Sequence, residues 1–324
     1  METITIGIIG ASRIAPSAII APARVMPGIR VASIAARDTR RAIAFAAAHD
    51  IKRVHSSYDT LFSDPGLALV YIATPPATHA ALAIRAIRAG KAVLVEKPFA
   101  MNAQEAERVA VEADHAGVPV FEAMHSTYHP LFAHLRGLLA DGRIGSLRSI
   151  DAYFTTPIDA DPDDFRYHAA LGGGSLMDLG VYPLAWCRAL AGDAFTVTAA
   201  QARFRGGVDV AFNADLLFPG VVRARIAAAM DGPAQDSRLQ LAGEAGAIVV
   251  DNPLTPHEGH RVRMRVGTQV SEWTVAGPTT YLAQLTAVCE AVRANSPIEG
   301  ATHSYVAAMQ GVDRVRRAFA TVRS

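Results

Sequence analysis

Cysteine is almost absent: Cys187 and Cys289 are the only two, too few for a disulfide framework or a thiolate-built metal site. Lysine is nearly as scarce, with only Lys52, Lys91 and Lys97 among 31 basic residues. No apolar run approaches the roughly 18 residues that a membrane-spanning helix needs. The opening stretch METITIGIIG has no basic segment of the kind that begins a signal peptide. Neither sign of charge dominates, since 31 basic residues meet 30 acidic ones. That balance excludes the basic footprint of a nucleic-acid binder and the cationic face of a protein bound to anionic membranes. The histidines lack metal-ligand spacing, so no metal is expected, and His257, His260 and His303 read as satisfied structural or surface residues. Gly-x-Ser-x-Gly and Cys–His nucleophile patterns are missing as well. These exclusions leave a soluble globular protein, expected in the cytoplasm.

What the chain does have is apolar residues, 51% of its 324. That length favours two domains over one. Residues 1–125 alternate strand-like runs (4–9, 29–36, 67–73, 92–95 and 118–122) with Ala-rich helical patterns over 39–49, 78–89 and 103–116. This alternation predicts βαβ units and a doubly wound parallel sheet, the α/β architecture of a dinucleotide-binding domain. Residues 126–324 read differently. A helix is expected over 128–140, a strand over 147–155, and a helix over 175–190 after the run Gly172-Gly173-Gly174. Six strand-like stretches between 195 and 275 follow without helices, and two helices over 279–294 and 302–321 close the chain. Successive strands with short turns predict an α+β domain with an open, mainly antiparallel sheet, and a wide sheet without covering helices suggests an oligomer.

The first strand runs into Gly10-Ala11-Ser12-Arg13-Ile14-Ala15. Aligned on Gly10, this is G-A-S-x-x-A where the dinucleotide fingerprint reads G-x-G-x-x-G/A. Gly10 suits the tight turn and Ala15 permits close helix–strand packing. Ser12 is small enough to approach a pyrophosphate and can hydrogen-bond it, at a helix N-terminus that favours anions. A purely structural turn is the bland alternative. The second strand ends in Arg37-Asp38, with Arg40 and Arg41 just beyond. Guanidinium groups here suit the 2′-phosphate of NADP better than the free ribose of NAD, although Arg40 and Arg41 also read as an ordinary solvated helix start. Later strands end in Thr74-Pro75-Pro76, with His79 in the next helix's first turn, and in Glu96-Lys97-Pro98. Loops at the carboxyl ends of strands in such a sheet line the ligand crevice.

The turn at Gly10, ATPPATHA, GKAVLVEKPFA and GGGSLMDLGVYPL together make the chain resemble the Gfo/Idh/MocA family, the glucose–fructose oxidoreductases and inositol dehydrogenases. Within it the chain is most similar to the dihydrodiol dehydrogenase and NADP sugar dehydrogenase branch. The resemblance implies an NADP- or NAD-dependent dehydrogenase or reductase acting on a sugar, cyclitol or related polyol, and a homodimer or homotetramer joined through the C-terminal sheet. It implies that Lys97 hydrogen-bonds the substrate oxygen and stabilises charge there as hydride moves, with Glu96 orienting Lys97 or the nicotinamide side and Lys97-Pro98 a candidate cis bond. Asp178 and Tyr182 stand four apart, so on a regular helix they share a face. Tyr182 occupies the family's usual histidine position as general acid/base, a phenol whose pKa nearby Lys97 would lower. Arg166 either enters the pocket or pairs with Asp163 or Asp164. His125, Tyr128 and His129 are placed to touch nicotinamide or substrate, and Thr127 stands where the family often has arginine. Two other roles remain open on this fold: cofactor-recycling elimination, hydrolysis or epimerisation, and non-catalytic cofactor sensing.

Overall fold

A computed structural model describes residues 3–161, 163–296 and 304–321, grouped in two compact units. The first joins Met1–Ala123 to Tyr281–Met309, and the second joins Met124–Thr280 to Gln310–Ser324. The stretch Tyr281–Met309 therefore packs with the N-terminal residues, whereas the sequence pattern places it with 126–324. The reason is apolar burial: Leu285, Val288 and Cys289 are enclosed in one core with Ile4, Ile19, Ile34 and Tyr71.

In chain order the first unit contains β1 (Ile4–Ile9), α1 (Ala21–Val25), β2 (Ile29–Ala35), α2 (Thr39–His49), β3 (Arg53–Val54) and α3 (Tyr58–Phe62). It continues with β4 (Leu69–Ile72), α4 (His79–Arg88), β5 (Ala92–Glu96), α5 (Ala103–Ala116) and β6 (Val120–Ala123). The strands pair in parallel in the order β3-β2-β1-β4-β5-β6, the doubly wound sheet expected. LVYI in β4 and AVLVE in β5 are buried along their whole length, as strands covered on both faces must be. β3 and α3 escape the sequence pattern because neither is long enough to show a period.

The second unit contains α6 (Pro130–Ala140), β7 (Leu147–Thr155), α7 (Val181–Ala191), β8 (Thr196–Arg205), β9 (Val208–Phe218) and β10 (Val222–Ala229). β11 (Asp236–Gly243), β12 (Gly246–Asp251), β13 (Arg261–Val266) and β14 (Gln269–Trp273) complete an eight-stranded sheet in the order β14-β13-β12-β11-β7-β10-β9-β8. Only the β7–β10 pairing is parallel. Alternate residues such as Ile150, Ala152, Phe154, Ile226 and Leu239 are buried on the face that α7 covers. Intervening positions are exposed and carry ion pairs, among them Arg238–Asp251 and Arg263–Glu272. β14 is not expected from sequence, because QVSEW is an exposed edge strand with no apolar alternation to read. The last helices are α8 (Thr280–Ala294) and α9 (Ser304–Thr321); residues 302 and 303 of the expected final helix lie outside the described residues. Among the described residues no helix is long and apolar enough to cross a membrane.

Candidate active site

In the first unit, Gly10 turns the chain out of β1 at φ +99°, and its N–H donates to Ala35 O at 2.8 Å. A Cβ there would stand 2.6 Å from Ala73 O, so only glycine fits this turn. Ala15 is fully buried against the core. Ser12 Oγ is enclosed without a hydrogen-bond partner, an orphaned polar atom beside Ala11, Arg13 and Ile14. A phosphate oxygen would satisfy it, and the residues present therefore fit a dinucleotide. At the end of β2, Asp38 caps α2 by accepting from Arg40 N at 2.9 Å and Arg41 N at 3.4 Å. Its carboxylate is thus committed to the helix start. Arg37 is exposed, and the Arg41 guanidinium reaches back to donate to Ala11 O at 3.3 Å. Cations, not a free acid, border the turn.

The loop after β5 is fixed by buried side chains. Glu96 accepts from its neighbour Lys97 N at 3.2 Å and from the Tyr71 hydroxyl at 2.6 Å. Lys97-Pro98 is cis. His79 faces Pro98 O with Nδ1 at 2.9 Å and Thr74 O with Nε2 at 2.7 Å, so it bridges the loop after β5 to the one that begins at Thr74-Pro75. Burial lowers the His79 pKa, against the pull of those carbonyls, which favour the protonated ring. Glu122, in β6, accepts from Phe99 N at 3.2 Å, and the Phe99 ring stacks on Tyr305 at 4.0 Å. Lys97 N, Pro98 O and Phe99 N are thus held from within. Glu122 was not foreseen; the signal available was a carboxylate at the end of an otherwise apolar strand, the same signal that marks Glu96.

In the second unit, the glycine run is a close-packing device. A Cβ on Gly173 would lie 2.4 Å from Arg166 O, and one on Gly180 2.4 Å from the Phe212 ring. Half-buried Asp209, which no sequence pattern marks, accepts from Leu176 N and Ser175 Oγ, each at 2.7 Å. It anchors the wide π-type turn Leu176–Gly180 that precedes α7. Asp178 accepts from Arg166 Nε at 2.7 Å, whereas the Tyr182 hydroxyl meets His125 Nε2 at 3.1 Å. Arg166 also donates to Asp164 at 3.2 Å. The Asp163 backbone N–H donates to Asp161 Oδ1 at 2.9 Å. Burial pulls the Arg166 pKa down, but the Asp178 and then the Asp164 carboxylates outweigh it and hold it above the usual arginine value.

His129, beside this segment, is 2% exposed. Its Nδ1 accepts from Leu131 N at 3.2 Å. Burial, followed by the charges of His260 and His257, lowers its pKa to about 4. His260 itself is satisfied by Pro256 O and Val275 N, as expected of a structural histidine; His303 lies outside the described residues. A folded-state pKa below the ordinary 6.5 means stability is complete above pH 6.5 and is lost as pH falls towards about 4. The loss should reach about 3 kcal/mol. Unfolding titrations in urea across pH 7 to 4 should show this slope in the wild type and a shallower one in His129→Gln; equal slopes would refute the assignment.

Comparison with known proteins agrees with this layout. Residues 4–124 match the family model described as "Oxidoreductase family, NAD-binding Rossmann fold", and residues 132–249 match the GFO/IDH/MocA C-terminal domain. A dTDP-3,4-didehydro-2,6-dideoxy-alpha-D-glucose 3-reductase of Streptomyces violaceoruber is 33% identical, over 90% of this chain and 86% of its own. A trans-1,2-dihydrobenzene-1,2-diol dehydrogenase of Sus scrofa is also 33% identical, over 69% of this chain and 67% of its own. Among solved structures, the 3-ketoreductase KijD10 of Actinomadura kijaniata, in complex with NADP and TDP-benzene, superposes with a TM-score of 0.91 at 26% identity over 98% of both chains. The chain belongs to the Gfo/Idh/MocA family of oxidoreductases, and it is an NAD(P)-dependent dehydrogenase or reductase.

Proposed function

We propose that the protein transfers a hydride between NADP(H) and the secondary alcohol or carbonyl carbon of a neutral sugar, cyclitol or related polyol. The observation that carries this reading is Lys97 at the carboxyl end of β5, on a backbone tied down by Glu96, His79 and Glu122. NADP, when bound, supplies the hydride donor or acceptor. Lys97 holds the substrate oxygen and offsets the negative charge that gathers on it. Tyr182 gives that oxygen its proton, or takes it. Asp178 and Arg166 orient a neighbouring substrate hydroxyl. With Asp164 and Asp178 both beside it, Arg166 has no unmatched charge to capture a substrate carboxylate, which favours a neutral group there. The cations Arg37 and Arg41, with Asp38 committed to its cap, favour NADP over NAD. Homodimers or homotetramers through the exposed face of the eight-stranded sheet complete the proposal.

The test is a fluorescence titration with NADPH and NADH, followed by a substrate panel. Because the relatives include a keto-sugar nucleotide reductase and a dihydrodiol dehydrogenase, the panel spans dTDP-keto sugars, trans-dihydrodiols, aldoses and inositols. NADPH should bind at least about tenfold tighter than NADH, and Arg37→Ala with Arg41→Ala should erase most of the difference. Equal affinities would defeat the cation argument. Turnover that leaves a retained cofactor unchanged would assign the site to elimination, hydrolysis or epimerisation, and binding without turnover to cofactor sensing. Sedimentation of the same samples should give a dimer or tetramer mass; a monomer would remove the oligomer claim.

A further inference from the structure

His125 is buried, and both of its ring nitrogens meet hydroxyls. Nε2 stands 3.1 Å from Tyr182 Oη, and Nδ1 stands 2.9 Å from Thr280 Oγ1. Thr280 is fully enclosed, and Tyr182 is packed edge-on by His125 at 5.4 Å and by Phe154 at 5.7 Å. An aromatic hydrocarbon would fill this space as well as an imidazole does, so the two polar contacts need a reason.

A neutral imidazole offers one N–H and one lone pair, and here either tautomer can be satisfied. With the lone pair on Nε2, the phenol donates its only proton to His125 and has none for a substrate. With the proton on Nε2, Thr280 donates to Nδ1, His125 donates to Tyr182 Oη, and the phenol proton is directed away from the imidazole. Resting on the reading that Tyr182 carries the reaction's proton, we infer that His125 is a positioning residue. It holds an N–H against Tyr182 Oη, aims the phenol proton at the substrate oxygen, and stabilises the phenolate. In the reductive direction, with NADPH supplying the hydride that becomes the new C–H bond, the carbonyl π pair moves onto the substrate oxygen, and the Tyr182 O–H bond breaks as that oxygen takes the proton. The phenolate then accepts from His125 Nε2–H until water returns a proton to it. Oxidation runs the same steps in reverse.

The test uses the full chain and needs no substrate at first. With tyrosine labelled at 13Cζ, the resonance missing from Tyr182→Phe belongs to Tyr182. In His125→Phe it should titrate at least about one unit higher than in wild type, whereas His125→Gln, which keeps an N–H near the Nε2 position, should stay close to wild type. With NADPH and the fastest panel substrate, His125→Phe should lower kcat about ten- to hundredfold and leave KM nearly unchanged. That loss should vanish in the Tyr182→Phe background. If His125→Phe does not fold, Thr280→Val tests the same chain of bonds, because it removes the donor that fixes the tautomer; its kcat should fall several-fold.

An unmoved Tyr182 titration, or equal losses in both backgrounds, would overturn the inference. If Tyr182→Phe cripples turnover while His125→Phe and Thr280→Val do not, only the inference falls. If Tyr182→Phe is itself harmless, the proposed role of Tyr182 falls with it.

Discussion

Lys97→Ala is expected to lower kcat about a thousandfold, the usual scale for removing a preorganised charge from a developing oxyanion. KM for the substrate should change far less, because a charge that matters most in the transition state contributes little to ground-state binding. Lys97→Arg should not rescue it: a planar guanidinium spreads its charge over a fork, whereas the ammonium is a compact point at the end of a flexible stem. The fold should be indifferent to either change. Lys97 N, Pro98 O and Phe99 N are held by Glu96, His79 and Glu122 whatever side chain residue 97 carries. Stopped-flow reduction of cofactor at saturating substrate separates the hydride step from product release. Turnover within about tenfold of wild type for Lys97→Ala would end the assignment, since one solvated hydrogen bond accounts for that much.

The scarcity of lysine makes position 97 conspicuous in the bare sequence, and the parallel sheet is legible from strand and helix periods alone. β1, α2, α5 and β7 fall on the residues expected, because their ends are set by local chemistry: the Asp38 and Asn102 caps, and burial alternation in β7. The rest depends on long-range contacts. Nothing in the sequence near Thr280 announces a histidine 155 residues earlier. Glu122 and Asp209 look like breaks in apolar strands until their partners, Phe99 N on one side and Ser175 with Leu176 on the other, are known. The amphipathic helix after Thr280 has an apolar face whichever core receives it, so its place beside Ile4 and Ile19 does not follow from period. The Asp178–Tyr182 spacing is legible, but their partners are not: nothing local to the motif announces that Asp178 accepts from Arg166 or that the Tyr182 hydroxyl meets His125.

Just before the wide turn of Leu176–Gly180, a single methyl group should cost much stability. Gly174 has φ +115°, outside even the left-handed helical region that other residues tolerate, and a Cβ there would lie 2.2 Å from Asp209 Oδ1. The carboxylate cannot step aside cheaply, because its Oδ2 holds Ser175 Oγ and Leu176 N, each at 2.7 Å. Burial already raises the Asp209 pKa, so stripping those donors would strand a poorly solvated group. Gly174→Ala should therefore cost about 3 kcal/mol or more, backbone strain and lost bonds together. Gly142→Ala is the matched control: φ there is +66° with nothing within 4 Å of the added carbon, so only about 1 kcal/mol of strain is expected. Urea unfolding followed by tryptophan fluorescence reads this unit selectively, since Trp186 and Trp273, the only two tryptophans, both belong to it. Asp209→Ala should remove the clash as well as the anchor, so the Gly174→Ala/Asp209→Ala double variant should be less destabilised than the sum of its parts. Strict additivity would show that the methyl group and the carboxylate do not meet, and Gly174 would then be required for its dihedral angle alone.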